Sequence, residues 1–188
     1  MASPPAVLVM RGTVPASPEL RELLGAERAA RLEQLLLARV MRWASGLSPA
    51  GVRVAAEDEG LADAVHRAFS DGGGPLVVAW PALPRWGPEH ADGVLDDLGA
   101  GCDASVGPVF DGGLYLLALT RALPALFALP SEAWDSPDAM GRVLEAINEE
   151  GAAVGLLRAE RGLRRPGDVR AALADPLLDD ELRALLSG

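Results

Sequence analysis

Short apolar runs alternate with amphipathic stretches along this chain, and this alternation constrains the fold more than any other feature. An uninterrupted apolar run is typical of a strand that is buried on both faces. Such a run occupies residues 6–10, and further strands are predicted at residues 52–55, 76–80, 103–106, 114–119 and 153–157. Strands that alternate with helices predict a mostly parallel sheet covered on both sides, which is a three-layer α/β/α sandwich.

The segments between the apolar runs carry helical signals. Ser17, Pro18 and Glu19 supply a cap, a first-turn proline and an early acid, and Gly25 interrupts the pattern. Beyond it, apolar residues recur every three or four positions, which gives a helix one buried face. Further helices are predicted over residues 61–69, 89–98, 136–150, 166–173 and 179–186. No linker is long enough to divide the chain, so a single domain over residues 1–188 is expected.

Composition narrows the class of protein. The chain has 188 residues, 49% of them hydrophobic, which predicts a compact globule. Its net charge of −10 argues against a general nucleic-acid surface, because phosphate contacts need clustered positive charge. No charged segment precedes the first apolar run, and no stretch of about 18 apolar residues is present. A cytoplasmic protein without a membrane segment is therefore expected.

Residue usage excludes several kinds of chemistry. All 17 basic residues are arginine, so a lysine Schiff base or a Walker lysine is impossible. The single cysteine, Cys102, excludes an intrachain disulfide and a cysteine-based zinc site. The two histidines, His66 and His90, stand in no known nucleophile motif and are expected to be solvated.

The stretch 107–119 carries the most specific motif. An apolar run ends at Pro108, Asp111 follows, then Gly112 and Gly113, and a second apolar run begins at Leu114. Paired glycines after an acid let the backbone approach a ligand closely and permit positive φ. A tight Asp-Gly-Gly hairpin turn without chemistry is the alternative. The motif alone leaves both interpretations open.

The order of this motif and its neighbours resembles a GT-A-like family of small bacterial proteins, described as a domain of unknown function. The neighbouring segments that carry the resemblance are residues 7–15, 24–30, 126–127, 134 and 165–169. Members of the family are often labelled glycosyltransferases, some in connection with arsenosugar biosynthesis. They are similar in fold to phospholactate-type guanylyltransferases and molybdopterin nucleotidyltransferases. The resemblance implies a nucleotide-diphospho-sugar transferase-like fold over nearly the whole chain.

Ligands in open α/β sheets bind beyond the carboxyl ends of the strands, which places a site at loops 11–17, 80–88 and 107–113. The resemblance points to the same loops, and it implies that Asp111 is a general base or binds a hydroxyl group. An Asp that merely closes its own turn is the alternative. Contacts to a nucleotide or a sugar are expected from these residues: Arg11, Gly12, Pro15, Gly112, Gly113, Arg164 and Arg165.

The chain departs from the family pattern where the family holds a divalent metal. The third strand of the family typically ends in Gly-Thr-Asp, whereas this chain has Ala79 and Trp80 there. Near the C-terminus, the family's acids are replaced by Leu163 and Arg164. The first loop also lacks two cations of the family and keeps only Arg11. The resemblance implies a divalent metal, but a hard cation needs carboxylate or other oxygen ligands, so no metal ligand and no cofactor are assigned.

Five arginines lie within thirteen residues of this acidic chain: Arg158, Arg161, Arg164, Arg165 and Arg170. Metal-free binding of a diphosphate is one hypothesis, because guanidinium groups bind phosphate bidentately. Surface ion pairs with Glu149, Glu150 and Glu160 are the alternative. In the loop at the missing metal site, Trp80 and Trp86 either pack or stack on a base or sugar.

The sequence therefore predicts a glycosyltransferase-like protein, or a related nucleotidyltransferase, that uses or binds a nucleotide sugar. A catalytically inactive relative that binds a ligand or a protein partner is the alternative. A third alternative is a structural homodimer subunit, to which residues 114–129 would contribute apolar surface.

Overall fold

The computed structural model of the chain describes residues 4–11, 17–48, 51–56, 59–72, 74–134 and 136–188. These residues form six strands in one sheet and nine helices. The strands are β1 (Ala6–Val9), β2 (Val52–Val54), β3 (Leu76–Ala79), β4 (Ala104–Pro108), β5 (Leu114–Leu119) and β6 (Val154–Leu156). The helices are α1 (Pro18–Leu24), α2 (Ala26–Leu47), α3 (Leu61–Gly72), α4 (Pro88–Gly99), α5 (Pro124–Phe127), α6 (Ser131–Trp134), α7 (Ala139–Glu149), α8 (Pro166–Ala174) and α9 (Asp180–Ser187).

The sheet has the strand order β2-β1-β3-β5-β4-β6, and it is mostly parallel as predicted. Strand β5 is the exception, because it runs antiparallel to both β3 and β4. Only residues 109–113 join β4 to β5, and a parallel pair would need a crossover of about a dozen residues or more. The short connection therefore reverses the chain.

Strand register brings the connecting loops to one edge of the sheet. Val9 pairs with Ala79, Ala79 pairs with Leu116, and Leu116 pairs with Gly107. The carboxyl ends of β1, β3, β4 and β6 therefore lie beside the amino end of β5. This side of the sheet, here called the carboxyl edge, holds the turn after β4 and the segments that follow β1, β3 and β6.

Helices cover both faces of the sheet and complete the predicted three layers. Leu8 of β1 and Met10 just after it pack with α3, α5 and α7 on one face. Their neighbours Val7 and Val9 pack with α2 and α4 on the other face. A third cluster joins α1, α2, α8 and α9.

Strand β5 is buried along its whole length. Its six residues lie in the middle of the sheet and contact both helical layers. They offer no exposed apolar surface. Residues 114–119 therefore do not supply the apolar surface that the structural-homodimer alternative expected from residues 114–129.

No helix in the described ranges is both long and apolar enough to cross a lipid bilayer.

Candidate functional site

Asp111 lies in the β4–β5 turn at the carboxyl edge, and its side chain is only 15% exposed. The Gly113 N–H donates to Asp111 Oδ1 at 3.3 Å, and the Val109 N–H donates to the Gly113 carbonyl at 2.9 Å. The Asp-Gly-Gly turn considered from the sequence is therefore present. One carboxylate oxygen closes that turn, while the other oxygen, Oδ2, faces arginines from a distant part of the chain.

The two glycines approach protein atoms closely. Gly112 has a φ of 92°, and a Cβ at this position would lie 1.8 Å from the Pro137 carbonyl oxygen. The Met140 N–H also donates to the Gly112 carbonyl at 2.9 Å, which ties the turn to the start of α7. A Cβ on Gly113 would lie 2.7 Å from Arg164 Nη1. Because both residues are small, the turn fits between the start of α7 and residues 163–165, which we call the arginine segment.

Arg164 and Arg165 converge on the same carboxylate oxygen. Arg164 Nη1 and Arg165 Nε each lie 3.7 Å from Asp111 Oδ2. A charge-assisted hydrogen bond is about 2.7–2.9 Å long, so these contacts are ion pairs and leave N–H groups of both guanidinium groups able to donate elsewhere. Arg164 is 14% exposed and Arg165 is 53% exposed, which makes Arg165 the more accessible of the two.

Backbone hydrogen bonds hold the arginine segment in place. Asp168 Oδ2 caps α8 by accepting from the Arg164 N–H at 3.1 Å and the Arg165 N–H at 2.9 Å. The Arg164 carbonyl accepts from the Ser17 N–H at 2.9 Å, and the Leu163 N–H donates to the Ala82 carbonyl at 2.9 Å. The segment is therefore tied to the start of α1 and to the loop after β3.

The other arginines of this region have different partners. Arg158 pairs with Glu160 at 2.6 Å, as the surface ion-pair alternative predicted. Arg161 lies 3.7 Å from Asp168, and its guanidinium group lies over the Phe110 ring at 5.4 Å. Only Arg164 and Arg165 reach Asp111 among the described residues.

The remaining predicted binding residues do not join this cluster in the part of the chain that the structure describes. Arg11 is exposed just beyond β1, and no ion pair or hydrogen bond connects it to Asp111. Gly12 and Pro15 lie outside the described residues. The structure thus brings together five of the predicted residues, which we call the Asp111 cluster: Asp111, Gly112, Gly113, Arg164 and Arg165.

Residues 28–131, more than half of the chain, match the bacterial family of uncharacterized conserved proteins named DUF2064. The chain belongs to this family. No functionally curated protein matches its sequence significantly. The family assignment agrees with the resemblance found in the sequence.

One solved structure supports the fold of this DUF2064 member. A protein from Desulfovibrio desulfuricans, provisionally described as a nucleotide-diphospho-sugar transferase, superposes with a TM-score of 0.73 at 20% identity. That match covers 99% of this chain and 94% of the other. A Mycobacterium tuberculosis protein gives a TM-score of 0.45 at 16% identity, with 91% and 97% coverage. Molybdopterin-guanine dinucleotide biosynthesis protein A from Archaeoglobus fulgidus gives 0.43 at 18% identity, with 88% and 95% coverage.

In the described part of the carboxyl edge, the residues of this DUF2064 chain do not fit the divalent metal that the resemblance implies. Ala79 and Trp80, at the end of β3, are buried, and Trp80 stacks on Trp134 with ring centroids 6.3 Å apart. Asp111 faces two guanidinium groups, which would repel a cation. Within the described residues, no group of three or more His, Cys, Asp or Glu side chains could hold a metal ion.

His90 is buried, so the expectation that it is solvated is wrong. The residue is 5% exposed, and its Nδ1 accepts from the Gly87 N–H at 3.0 Å at the start of α4. Its ring packs edge-on against Tyr115, with centroids 5.5 Å apart. A histidine three residues after the helix cap can return to the cap backbone, and this spacing was the signal available in the sequence.

Tyr115 lies in the core and also lines a cavity between α4 and the segment after β6. Its hydroxyl donates to the Arg158 carbonyl at 3.2 Å, and the residue is 1% exposed. Burial, with a smaller contribution from the Glu160 charge, raises the pKa of Tyr115 far above its usual value. The phenol therefore stays protonated at any ordinary pH and is excluded as a base. Gly107 leaves room for this ring, because a Cβ there would lie 2.5 Å from the Tyr115 Cζ.

Proposed function

We propose that this chain binds the diphosphate of a nucleotide sugar at the carboxyl edge, with Arg164 and Arg165 in place of a metal. The observation that carries the proposal is the convergence of both guanidinium groups on Asp111 Oδ2 at 3.7 Å. At that distance their N–H groups are not fully used by the carboxylate, so they can donate to phosphate oxygens. Two guanidinium groups against one carboxylate also leave the cluster with a net positive charge in an acidic protein.

The proposed reaction is a glycosyl transfer in which Asp111 is the general base. Phosphate oxygens engage the two guanidinium groups and release Asp111 Oδ2 for an acceptor hydroxyl. The hydroxyl proton passes to Asp111, the acceptor oxygen bonds to the anomeric carbon, and the bond from that carbon to the diphosphate breaks. Arg164 and Arg165 stabilise the charge that develops on the departing nucleoside diphosphate. The nucleotide-diphospho-sugar transferase fold is compatible with this chemistry.

Calorimetric titration with uridine and guanosine diphosphates in EDTA tests the binding step. We expect binding without metal, and we expect Arg164→Ala or Arg165→Ala to weaken it at least about tenfold, since a charged hydrogen bond contributes about 1.5–3 kcal/mol. Arg121→Ala is the matched control, because Arg121 pairs with Asp103 at the opposite edge of the sheet. Absence of binding in EDTA, or an equal loss in the control, would contradict the proposal.

A non-catalytic binding protein is the second candidate function. Two observations favour it. Ala79 and Trp80 at the end of β3 supply no carboxylate, and Asp111 is already paired with both arginines. Asp111→Asn separates the two functions because it preserves shape and removes the base. An enzyme would lose turnover of a nucleotide sugar while still binding the nucleotide. A wild-type protein that binds but never releases sugar from uridine or guanosine diphosphate sugars would favour the second candidate.

A further inference from the structure

A groove of about 580 Å³ lies between α2 and the start of α4, and it shares no residue with the Asp111 cluster. We call it the tryptophan groove. It is open to solvent, and its walls combine aromatic and cationic side chains. The lining residues on which the argument depends are Arg39, Arg42, Trp43, Arg85, Trp86 and Asp92.

Two indole rings pack against each other in the wall of the groove. Trp43 and Trp86 lie with centroids 4.5 Å apart and planes 36° apart. Behind them, Trp86 contacts the His90 ring at 5.4 Å and the Tyr115 ring at 5.7 Å. Leu95, which is 45% exposed, adds apolar surface from α4. A wall supported in this way suits a planar ring, because aromatic faces stack in offset or tilted pairs.

Several residues that line the groove carry buried hydrogen-bond donors without an acceptor. Four buried side-chain polar atoms in the described ranges have no hydrogen bond, and three of them belong to lining residues. These three are Arg39 Nε, Trp43 Nε1 and Trp86 Nε1. Nearly all buried polar groups in proteins are paired, and each of these three atoms can only donate. Their missing partner is therefore a hydrogen-bond acceptor.

The charges at the opening favour an anion. Arg39 is held by Asp179 at 2.7 Å and donates to the Pro84 carbonyl, so it is a fixed part of the wall. Arg42 and Arg85 are exposed and have no ion pair among the described residues, and Asp92 is the one carboxylate in the described lining. Two cations against one acid create a local positive field in a chain whose net charge is −10.

We propose that the tryptophan groove binds an aromatic anion, a phosphate or carboxylate attached to a planar ring. The ring lies on the Trp43–Trp86 wall, and the anionic end meets Arg42 and Arg85. The unpaired indole N–H groups are shielded from solvent, so they donate to acceptor atoms of the ligand only after the indoles rotate. This site is separate from the Asp111 cluster and does not depend on the proposed function.

Titration of the ¹⁵N-labelled protein with phenyl phosphate tests the site directly. The four tryptophans give four indole N–H signals, assigned with single Trp→Phe variants. We expect the Trp43 and Trp86 signals to shift and the buried Trp80 and Trp134 signals to stay, which makes the second pair an internal control. Phenol lacks the charge and inorganic phosphate lacks the ring, so each should bind at least tenfold more weakly. Unchanged Trp43 and Trp86 signals would overturn the proposal.

Arginine variants decide which cations are used. We expect the double substitution Arg42→Ala and Arg85→Ala to weaken phenyl phosphate binding at least tenfold. Arg142→Ala is the matched control, since Arg142 is an exposed arginine on α7, which covers the opposite face of the sheet. If Arg164→Ala lost phenyl phosphate binding while the Arg42/Arg85 double variant kept it, the probe would bind at the Asp111 cluster and the proposal would be overturned. If the double variant lost binding while Arg164→Ala kept it, the result would support the groove, even if nucleotides fail to bind to the protein.

Discussion

At the residue scale, Gly112 lies in the β4–β5 turn where the turn contacts the start of α7, and we expect Gly112→Ala to destabilise the protein. Its φ of 92° costs a residue with a side chain about 1–2 kcal/mol. The new Cβ would also lie 1.8 Å from the Pro137 carbonyl oxygen, so the turn must move away from α7. A total loss of about 3 kcal/mol is expected. Urea unfolding measures it.

Gly101 supplies the matched control for that measurement. Its φ is 93°, nearly identical to that of Gly112, but a Cβ there meets no atom within 4 Å. Gly101→Ala should therefore lose only the conformational part, about 1–2 kcal/mol. Equal losses in the two variants would show that the contact with Pro137 does not limit the turn.

The sequence predicted the turn at Asp111 better than it predicted the partners of Asp111. An Asp followed by two glycines is a local signal, and the hairpin follows from neighbouring residues alone. The approach of Arg164 depends on how α8 packs against α1 and α2, which no local pattern reports. His90 was misjudged for a related reason: its polarity predicted exposure, whereas its position in the first turn of α4 buries it.

At the scale of elements, Asp168 couples the start of α8 to the arginines of the site. We expect Asp168→Ala to lower stability by about 1 kcal/mol, the usual effect of losing a helix cap. The same variant should weaken nucleoside diphosphate binding, because the N–H groups of Arg164 and Arg165 lose the carboxylate that fixes them. Urea unfolding and calorimetry measure the two effects.

Asp179→Ala is the control for this coupling. Asp179 caps α9 by accepting from the Leu182 N–H at 3.1 Å, and it makes no contact with the Asp111 cluster. We expect a stability loss of about 1 kcal/mol or more and unchanged nucleotide affinity. If Asp168→Ala bound nucleotides as well as Asp179→Ala does, the cap of α8 would have no role in positioning the arginines.

The order of strands and helices could be predicted from the sequence, whereas the antiparallel direction of β5 was indicated only by the length of the loop before it. Every predicted strand and long helix is present, because hydrophobic periodicity and cap residues are local signals. The prediction of a mostly parallel sheet did not say which strand runs antiparallel, although the short connection from Pro108 to Leu114 indicates it. Loop length was the deciding evidence, since five intervening residues cannot hold a crossover.

At the scale of the whole molecule, the proposed site joins two parts of the chain with different relations to the family. The match to DUF2064 covers residues 28–131 and includes Asp111 with its glycines. Arg164 and Arg165 lie beyond that match, on a segment held by the cluster of α1, α2, α8 and α9. The proposed exchange of a metal for arginines therefore depends on the docking of α8.

Arg39 connects α9 to α2 and to the loop after β3. It donates to Asp179 at the start of α9 through two N–H groups, at 2.7 and 2.9 Å, and to the Pro84 carbonyl after β3. This hydrogen bonding, which outweighs the effect of burial, lowers the pKa of Asp179 to about 2. In the unfolded chain an Asp has a pKa of about 3.9. The folded state is therefore stabilised when Asp179 is charged.

Asp179→Asn tests this connection through its pH dependence. Asparagine still caps α9 but carries no charge, so we expect a loss of roughly 0.5–1 kcal/mol at pH 7, as for other partly exposed ion pairs. The loss should remain full above about pH 4 and shrink as the pH falls toward 2, because protonation removes the same charge from the wild-type protein. Urea unfolding of both proteins at pH 7, 5, 4 and 3 measures the difference. A difference that stayed constant from pH 7 to pH 3 would mean that the Asp179 charge does not hold α9 to α2.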